Sequence, residues 1–106
     1  MTKFTNNEKE QIIILLKDKI PSGFSLNDSV DLQLENDNYQ VCTINKDKIK
    51  ILYLLIPSDS FTNIHEERVG RLCKKYDFQF GHYVKCDRTE KIITNISVSS
   101  EIDRLK

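Results

Sequence analysis

The sequence is unusual for what it lacks: among its 106 residues there is no alanine and no tryptophan. Isoleucine, lysine and asparagine are abundant instead, and lysine far outnumbers arginine. No folding rule demands this bias, but the genetic code links it to A+T-rich coding sequence. We therefore expect an origin in a phage, a virus or another mobile element.

Other absences exclude whole classes of function. The three glycines are scattered, so neither a Gly-x-Gly-x-x-Gly loop nor a Walker loop can be written. No apolar run approaches the roughly 20 residues that cross a bilayer, so we expect no membrane helix. Lysine plus arginine equals aspartate plus glutamate, which gives zero formal net charge. A neutral chain exerts no long-range attraction on nucleic acid, so we do not expect a nucleic-acid partner.

Cysteine is also scarce, with Cys42, Cys73 and Cys86 as the three examples. The N-terminal residues lack the basic-then-apolar layout of a signal peptide. An odd number of cysteines without such a signal indicates reduced thiols in the cytoplasm and not a disulfide framework.

The most apolar stretch, Ile49 to Ile56, predicts the centre of the fold. Its apolar residues alternate onto both sides, which is typical of a strand buried on two faces. Capping, periodicity and turn signals predict one α+β domain over residues 1–106, with an antiparallel, possibly mixed, five-stranded sheet. The predicted order is α-β-β-β-α-β-β with a possible short C-terminal helix: a helix from the Thr5 cap to Ile20, strands Val30–Glu35, Tyr39–Ile44 and Ile49–Ile56, a helix Phe61–Tyr76, and strands Phe78–Lys85 and Lys91–Val98.

The alternating residues of the last two predicted strands indicate which side chains share a face of the sheet. Phe78, Phe80, His82 and Val84 should share one face of the fourth strand, and Ile92, Thr94, Ile96 and Val98 one face of the fifth. The central strand needs cover on both sides. Either the two helices lie on opposite faces, or a second copy of the chain closes one face.

The first helix has more apolar surface than one sheet face needs. Ile14 and Leu15 fall outside the stripe formed by Ile12, Ile13, Leu16 and Ile20. They are explained either by a helix sunk deep in the core or by a spare face for a partner or sister subunit.

Residues able to carry chemistry are few. His65 stacks with Val69 on the predicted buried stripe of the second helix, which favours a core or boundary histidine. Cys73, late in the same helix, is expected to be a small core hydrophobe. Cys86, in a predicted turn from Cys86 to Glu90, is the better candidate for a reactive thiol. Tetrahedral zinc spacing is absent, so we predict no metal, no cofactor and no catalytic residues.

The order of elements also permits comparison with restriction-endonuclease-like nucleases. These need a carboxylate and a lysine on the second strand for metal-assisted cleavage. Tyr39 to Ile44 supplies neither, so nuclease chemistry is not expected.

Charge placement is more informative than any motif. Between Pro21 and Asn45 every charged residue is acidic: Asp28, Asp31, Glu35 and Asp37. The alternation of the first predicted strand places Asp31 and Glu35 together on its exposed face. A basic flank on the second helix carries Arg68, Arg71 and Lys75. The pattern is explained either by an ordinary solvated surface or by an acidic hairpin that meets a basic partner.

The sequence therefore predicts a non-enzymatic protein-binding module, such as an inhibitor or accessory factor of a cytoplasmic complex. It would bind through the acidic hairpin, the spare face of the first helix, or an edge strand. One alternative is a dimeric binder of extended peptides, because the element order matches that of small bacterial secretion chaperones. Another is a small enzyme or metalloprotein using His82, Cys86 and Asp87.

Overall fold

The computed structural model describes residues 3–59 and 64–105, which form an α+β fold with a curled mixed sheet. The predicted class and order are confirmed, with one additional short strand. The helices are α1 (Asn6–Leu16) and α2 (Glu66–Tyr76), and the strands are β1 (Ser25–Leu26), β2 (Val30–Leu34), β3 (Asp37–Lys46), β4 (Ile49–Pro57), β5 (Gln79–Thr89) and β6 (Ile92–Ser99). Within the described residues, no helix is long and apolar enough to span a membrane.

The sheet is antiparallel except where β4 meets β5. Its order is β1-β3-β4-β5-β6, and β2 pairs with β3 beside β1. Strands β4 and β5 are parallel because the chain crosses over between them through α2, whereas the other neighbours are antiparallel. The edges of the sheet are therefore β6 on one side and β1 with β2 on the other.

Strand β4 lies at the centre and is buried on both faces, as predicted. Leu52, Leu54 and Ile56 belong to the core that packs against α2. Tyr53 and Leu55 belong to the core that packs against α1. The two helices thus cover opposite faces within one chain, so this strand does not need a second copy for cover.

Helix α1 begins as predicted and ends early. Thr5 accepts a hydrogen bond from the Glu8 backbone, while the Glu8 carboxylate accepts one from Thr5, which completes a capping box. The α-helix ends at Leu16 and is followed by a 3-10 turn over Lys17–Lys19. Ile20 is extended because Pro21 disfavours helical geometry in the residue before it. The predicted end at Ile20 was therefore four residues too late.

Helix α2 begins later than predicted. The expected start at Phe61 lies outside the described residues, and Ile64 and His65 are not helical. His65 occupies the N-cap with an exposed side chain, so its expected core or boundary position was wrong. The helix ends at Asp77, which adopts the left-handed conformation with φ 60°.

A β-bulge in β5 and another in β6 divide each of the predicted single faces between the two sides of the sheet. Leu52 pairs with Phe80 and Tyr53 pairs with His82, so Gly81 is an extra residue between the two pairs. Phe80 consequently packs on the α2 side, whereas His82 contacts the Tyr53 ring on the α1 side in a tilted arrangement.

In β6 the irregularity falls between Ile93 and Asn95. It buries Ile93 with Ile96 and leaves Ile92 exposed. The predicted single faces were wrong because one inserted residue reverses an alternation of period two.

The last hairpin and the C-terminus also differ in detail from expectation. Strand β5 continues to Thr89, and the turn is only Glu90 and Lys91, both with positive φ. Cys86 therefore lies within a strand, not in a turn. The C-terminal segment forms a 3-10 helix over Ile102–Leu105, and both terminal residues of that helix are buried against the α2-side core.

Candidate functional site

The acidic hairpin and the basic flank of α2 are partners of each other. Arg68 contacts Glu35 at 2.8 Å and Asp37 at 2.5 Å, and Arg71 lies 3.5 Å from Glu35. These pairs are partly exposed, which limits the stability that each can contribute to roughly 0–1 kcal/mol. Much of the charge polarity seen in the sequence is thus neutralised inside the chain. Recognition of an external basic partner by these residues stays a prediction.

The other hairpin acids are placed separately. Asp31 lies 3.6 Å from Lys9 of α1, whereas Glu35 turns toward α2 from a left-handed turn position with φ 56°. Asp31 and Glu35 therefore contact different helices and do not form the single exposed strand face that the alternation predicts. Asp28 is exposed just before β2.

The edge of β2 is capped at Gln33 by side chains from the end of α2. The Tyr76 hydroxyl accepts a hydrogen bond from the Gln33 amide at 3.0 Å and donates one to the Gln33 carbonyl at 2.9 Å. Lys75 donates to the same carbonyl at 2.7 Å. Lys75, predicted as a partner-binding residue, thus has a local role: it helps to satisfy backbone groups that could otherwise pair with another strand.

One flank of α1 runs along the opposite edge, β6. The Gln11 side chain accepts a hydrogen bond from the Ile93 amide at 2.7 Å, which caps the start of β6. Leu15 follows Gln11 by four residues and so lies on the same side of α1, and Lys19 ends the 3-10 turn that follows the helix. Leu15 is 38% exposed, and Ile14, on the outer surface, is 64% exposed. Neither side chain is sunk in the core.

Beyond Ile93, the edge of β6 is open. No hydrogen bond among the described residues reaches the outer edge of Asn95–Ser99. Residues Ile96–Ser100 instead line a cleft of about 600 Å³, bounded by Lys19, His82, Glu101 and Arg104. The cleft is the place where the end of α1, an edge strand and the C-terminal segment meet.

The walls of the cleft are polar and slightly basic. Arg104 contacts Glu101 at 3.2 Å, so these two charges offset each other. Lys19 is exposed and forms no ion pair with any residue that the structure describes. Burial lowers the pKa of His82, which favours its neutral form. The remaining uncompensated charge is that of Lys19.

The alternative chemistry at His82 and Cys86 finds no support in this geometry. Cys86 is fully buried, and burial raises the pKa of its thiol, so it was wrongly expected to be the more reactive cysteine. Cys73 is a buried core residue, as expected, and its thiol pKa is also raised by burial. Across the described part of the chain, no three His, Cys, Asp or Glu side chains converge as metal ligands would.

A second polar cluster is buried at the start of α1 and is structural. Gln40 accepts a hydrogen bond from the Phe4 amide and donates one to the Phe4 carbonyl. Arg88 lies over the Phe4 ring and contacts Glu8, whose side chain is fully buried. These groups satisfy one another and secure the N-terminal segment to the sheet.

Part of the candidate site carried little signal in the sequence. Lys19 reads as an ordinary lysine at a helix end, and Ser97 to Glu101 read as a strand end and a tail. Only the sheet order, which places β6 at an edge, gives these residues a shared location.

A scan of protein-family models and searches of curated proteins and solved structures found no match to this chain.

Proposed function

We propose that this protein is a non-enzymatic protein-binding module that takes up an extended segment of another protein along the edge of β6. Such a module acts by occupying its target, as an inhibitor or accessory factor does. The observation that carries the proposal is the cleft beside the uncapped stretch of β6. Side chains cap β2 at Gln33 and β6 at Ile93, and beyond Ile93 the residues Asn95–Ser99 of β6 stay open next to this cleft.

An open edge strand is a ready-made template for strand addition. Its outward backbone amides and carbonyls supply affinity, while the flanking side chains supply specificity. Here Leu15 offers apolar surface on one side and Lys19 offers charge. The capping of Ile93 by Gln11 restricts the open stretch to the C-terminal half of β6, which favours a short segment over a long sheet extension.

The test begins with random displayed peptides selected on the immobilised protein. Recovered sequences are resynthesised and titrated into ¹⁵N-labelled protein. We expect amide shift changes confined to Asn95–Ser100 and the adjoining flank of α1. Peptides that shift α2 or the acidic hairpin instead would overturn the proposal.

Backbone methylation gives a sharper criterion. Only alternate amides of an added strand face its neighbour. N-methylation of one alternate set of peptide residues should therefore abolish binding, while methylation of the other set is tolerated. Equal effects of both sets would exclude strand addition.

Two controls complete the design. Asp31→Lys, near the β2 edge, should leave peptide binding unchanged. Sedimentation at the NMR concentration should give a monomer. A dimer whose interface includes β6 would mean that the edge is occupied by a second copy, and that result would overturn the proposal.

A further inference from the structure

We infer that the segment bound at β6 carries an acidic residue followed, two positions later, by an apolar residue, with both side chains directed toward α1. This inference rests on the proposed strand addition and specifies the chemistry of the partner.

The direction of the α1 flank along β6 is fixed at both ends. Gln11 bonds to Ile93 near the start of β6, and Lys19 lines the cleft with Ile96–Ser100 near its end. Helix α1 and β6 therefore run the same way along the molecule. Leu15 lies between Gln11 and Lys19, one turn after Gln11 on the same side of α1, and its side chain is 38% exposed.

The spacing of this flank matches that of an added strand. Leu15 lies in the last turn of α1 and Lys19 ends the 3-10 turn that follows, so the rise between them is about 7 Å. Same-face residues of a strand are two positions apart, or roughly 6.6 Å. Two successive side chains on one face of an added strand can therefore meet Leu15 and Lys19 in turn.

Charge selects the residue that meets Lys19. Lys19 forms no ion pair with any residue in ranges 3–59 and 64–105, while Arg104 is already compensated by Glu101. A carboxylate side chain in the added strand would provide the missing partner. Antiparallel pairing is the more stable arrangement, and it places the acidic residue before the apolar one in the partner's sequence.

The experiment uses synthetic peptides built on Thr-Thr-Glu-Thr-Val-Thr-Thr, with Gln or Lys replacing Glu in two variants and the Glu and Val positions exchanged in a third. Binding is followed by the amide shifts of β6 in ¹⁵N-labelled protein. The Glu peptide should bind most tightly, on the order of twofold to fivefold better than the Gln peptide. The Lys peptide and the exchanged peptide should both be weaker still.

Charge reversal on the protein supplies the decisive control. Lys19→Glu should invert the preference, so that the Lys peptide binds better than the Glu peptide. Lys17→Glu makes the same charge change on the same 3-10 turn but away from the cleft, and it should leave the order unchanged. Added salt should reduce the differences in affinity between the peptides.

The outcomes separate the two proposals. Equal binding of all the peptides at β6 would overturn the acidic-apolar inference and leave strand addition standing. An unchanged preference in Lys19→Glu would do the same. If none of the peptides shifts β6, the inference fails, and strand addition is then decided by the displayed library and the N-methylated peptides.

Discussion

Arg88 and Glu8 form a buried ion pair that joins the end of β5 to the first turn of α1. Arg88 Nη1 lies 3.2 Å from both carboxylate oxygens, with 0% of the Glu8 side chain and 11% of the Arg88 side chain exposed. The same guanidinium reaches Asp59 through its other terminal nitrogen. Eighty positions separate Glu8 from Arg88, so the pair fixes a contact that no local pattern specifies.

This pair predicts unequal effects for its two partners. Arg88→Met leaves the fully buried carboxylate of Glu8 without its cationic partner. This change should lower the free energy of unfolding by about 3–5 kcal/mol. Glu8→Gln keeps the cap on Thr5 and leaves Arg88 with Asp59, so its loss should be about 1.5–3 kcal/mol. Urea unfolding of both variants and of the double variant measures the difference. If Glu8→Gln proves the more damaging, the carboxylate is not the group that depends on the pair.

Gly81 predicts a second energetic coupling. A Cβ at this position would overlap Ile51 Cγ2 and lie 3.0 Å from a Tyr53 ring carbon. Gly81→Ala should destabilise the protein by about 1–3 kcal/mol through overpacking. Ile51→Ala removes the overlapping methyl, so the double variant should lose less than the sum of the two single losses. Strict additivity in urea unfolding would contradict this packing.

The same bulge explains where prediction from sequence succeeded and where it failed. Apolar alternation identified β4, β5 and β6 because a strand periodicity is visible over a few residues. It could not reveal that Gly81 is an extra residue, since the bulge depends on the pairing with β4. Phe80 and His82, assigned to one face, therefore lie on opposite faces.

The candidate site was out of reach of sequence patterns for a related reason. An edge strand differs from an inner one by its neighbours, and these depend on the whole topology. The parallel pairing of β4 with β5 leaves β6 with a single neighbour. The charge pattern suggested an external partner instead, because the sequence does not show that Arg68 meets Glu35 and Asp37.

The turn at Glu90 and Lys91 predicts a stabilising substitution. Both residues have positive φ, at 53° and 65°, which side chains disfavour and Asn-Gly tolerates. Changing the pair to Asn-Gly should raise the free energy of unfolding by about 0.5–1 kcal/mol. Lys48→Gly is the matched control, because only Asp47 has positive φ in that two-residue turn. The control should be neutral or destabilising, and a gain there would refute the conformational explanation.

The three cysteines predict a titration with a thiol reagent. All are buried, and burial raises the pKa of Cys42 to about 12. Native protein should therefore react at none of them, while unfolded protein reacts at all three. Ser100→Cys, at an exposed position, should label at once and shows that the reagent is competent. Rapid native labelling of Cys86 would revive the enzymatic alternative.

The raised pKa of the Cys42 thiol also predicts that the folded state loses stability at alkaline pH. Unfolded Cys42 ionises near its ordinary value of 9.0, whereas the folded thiol holds its proton to about 12. The unfolded state is therefore favoured increasingly as the pH rises between these values. Cys42→Val should weaken this pH dependence above pH 9, as measured by urea midpoints. An unchanged slope would assign the alkaline loss to other groups.

His82 predicts an acid dependence of opposite sign. Its imidazole packs at a tilt against the Tyr53 ring, with the ring centroids 4.9 Å apart. Its Nδ1 is buried without a hydrogen-bond partner in the described structure, and burial lowers the pKa of His82. The unfolded histidine therefore takes up a proton before the folded one does. The associated stability is complete above the unfolded pKa of about 6.5 and is lost as the pH falls toward the folded value.

The urea midpoints of the wild type should therefore decline between pH 7.5 and 5.5 more than those of His82→Gln. The matched control is His65→Gln, which retains His82 and should keep the wild-type slope. Parallel slopes in wild type and His82→Gln would mean that protonation of the buried imidazole is not linked to folding.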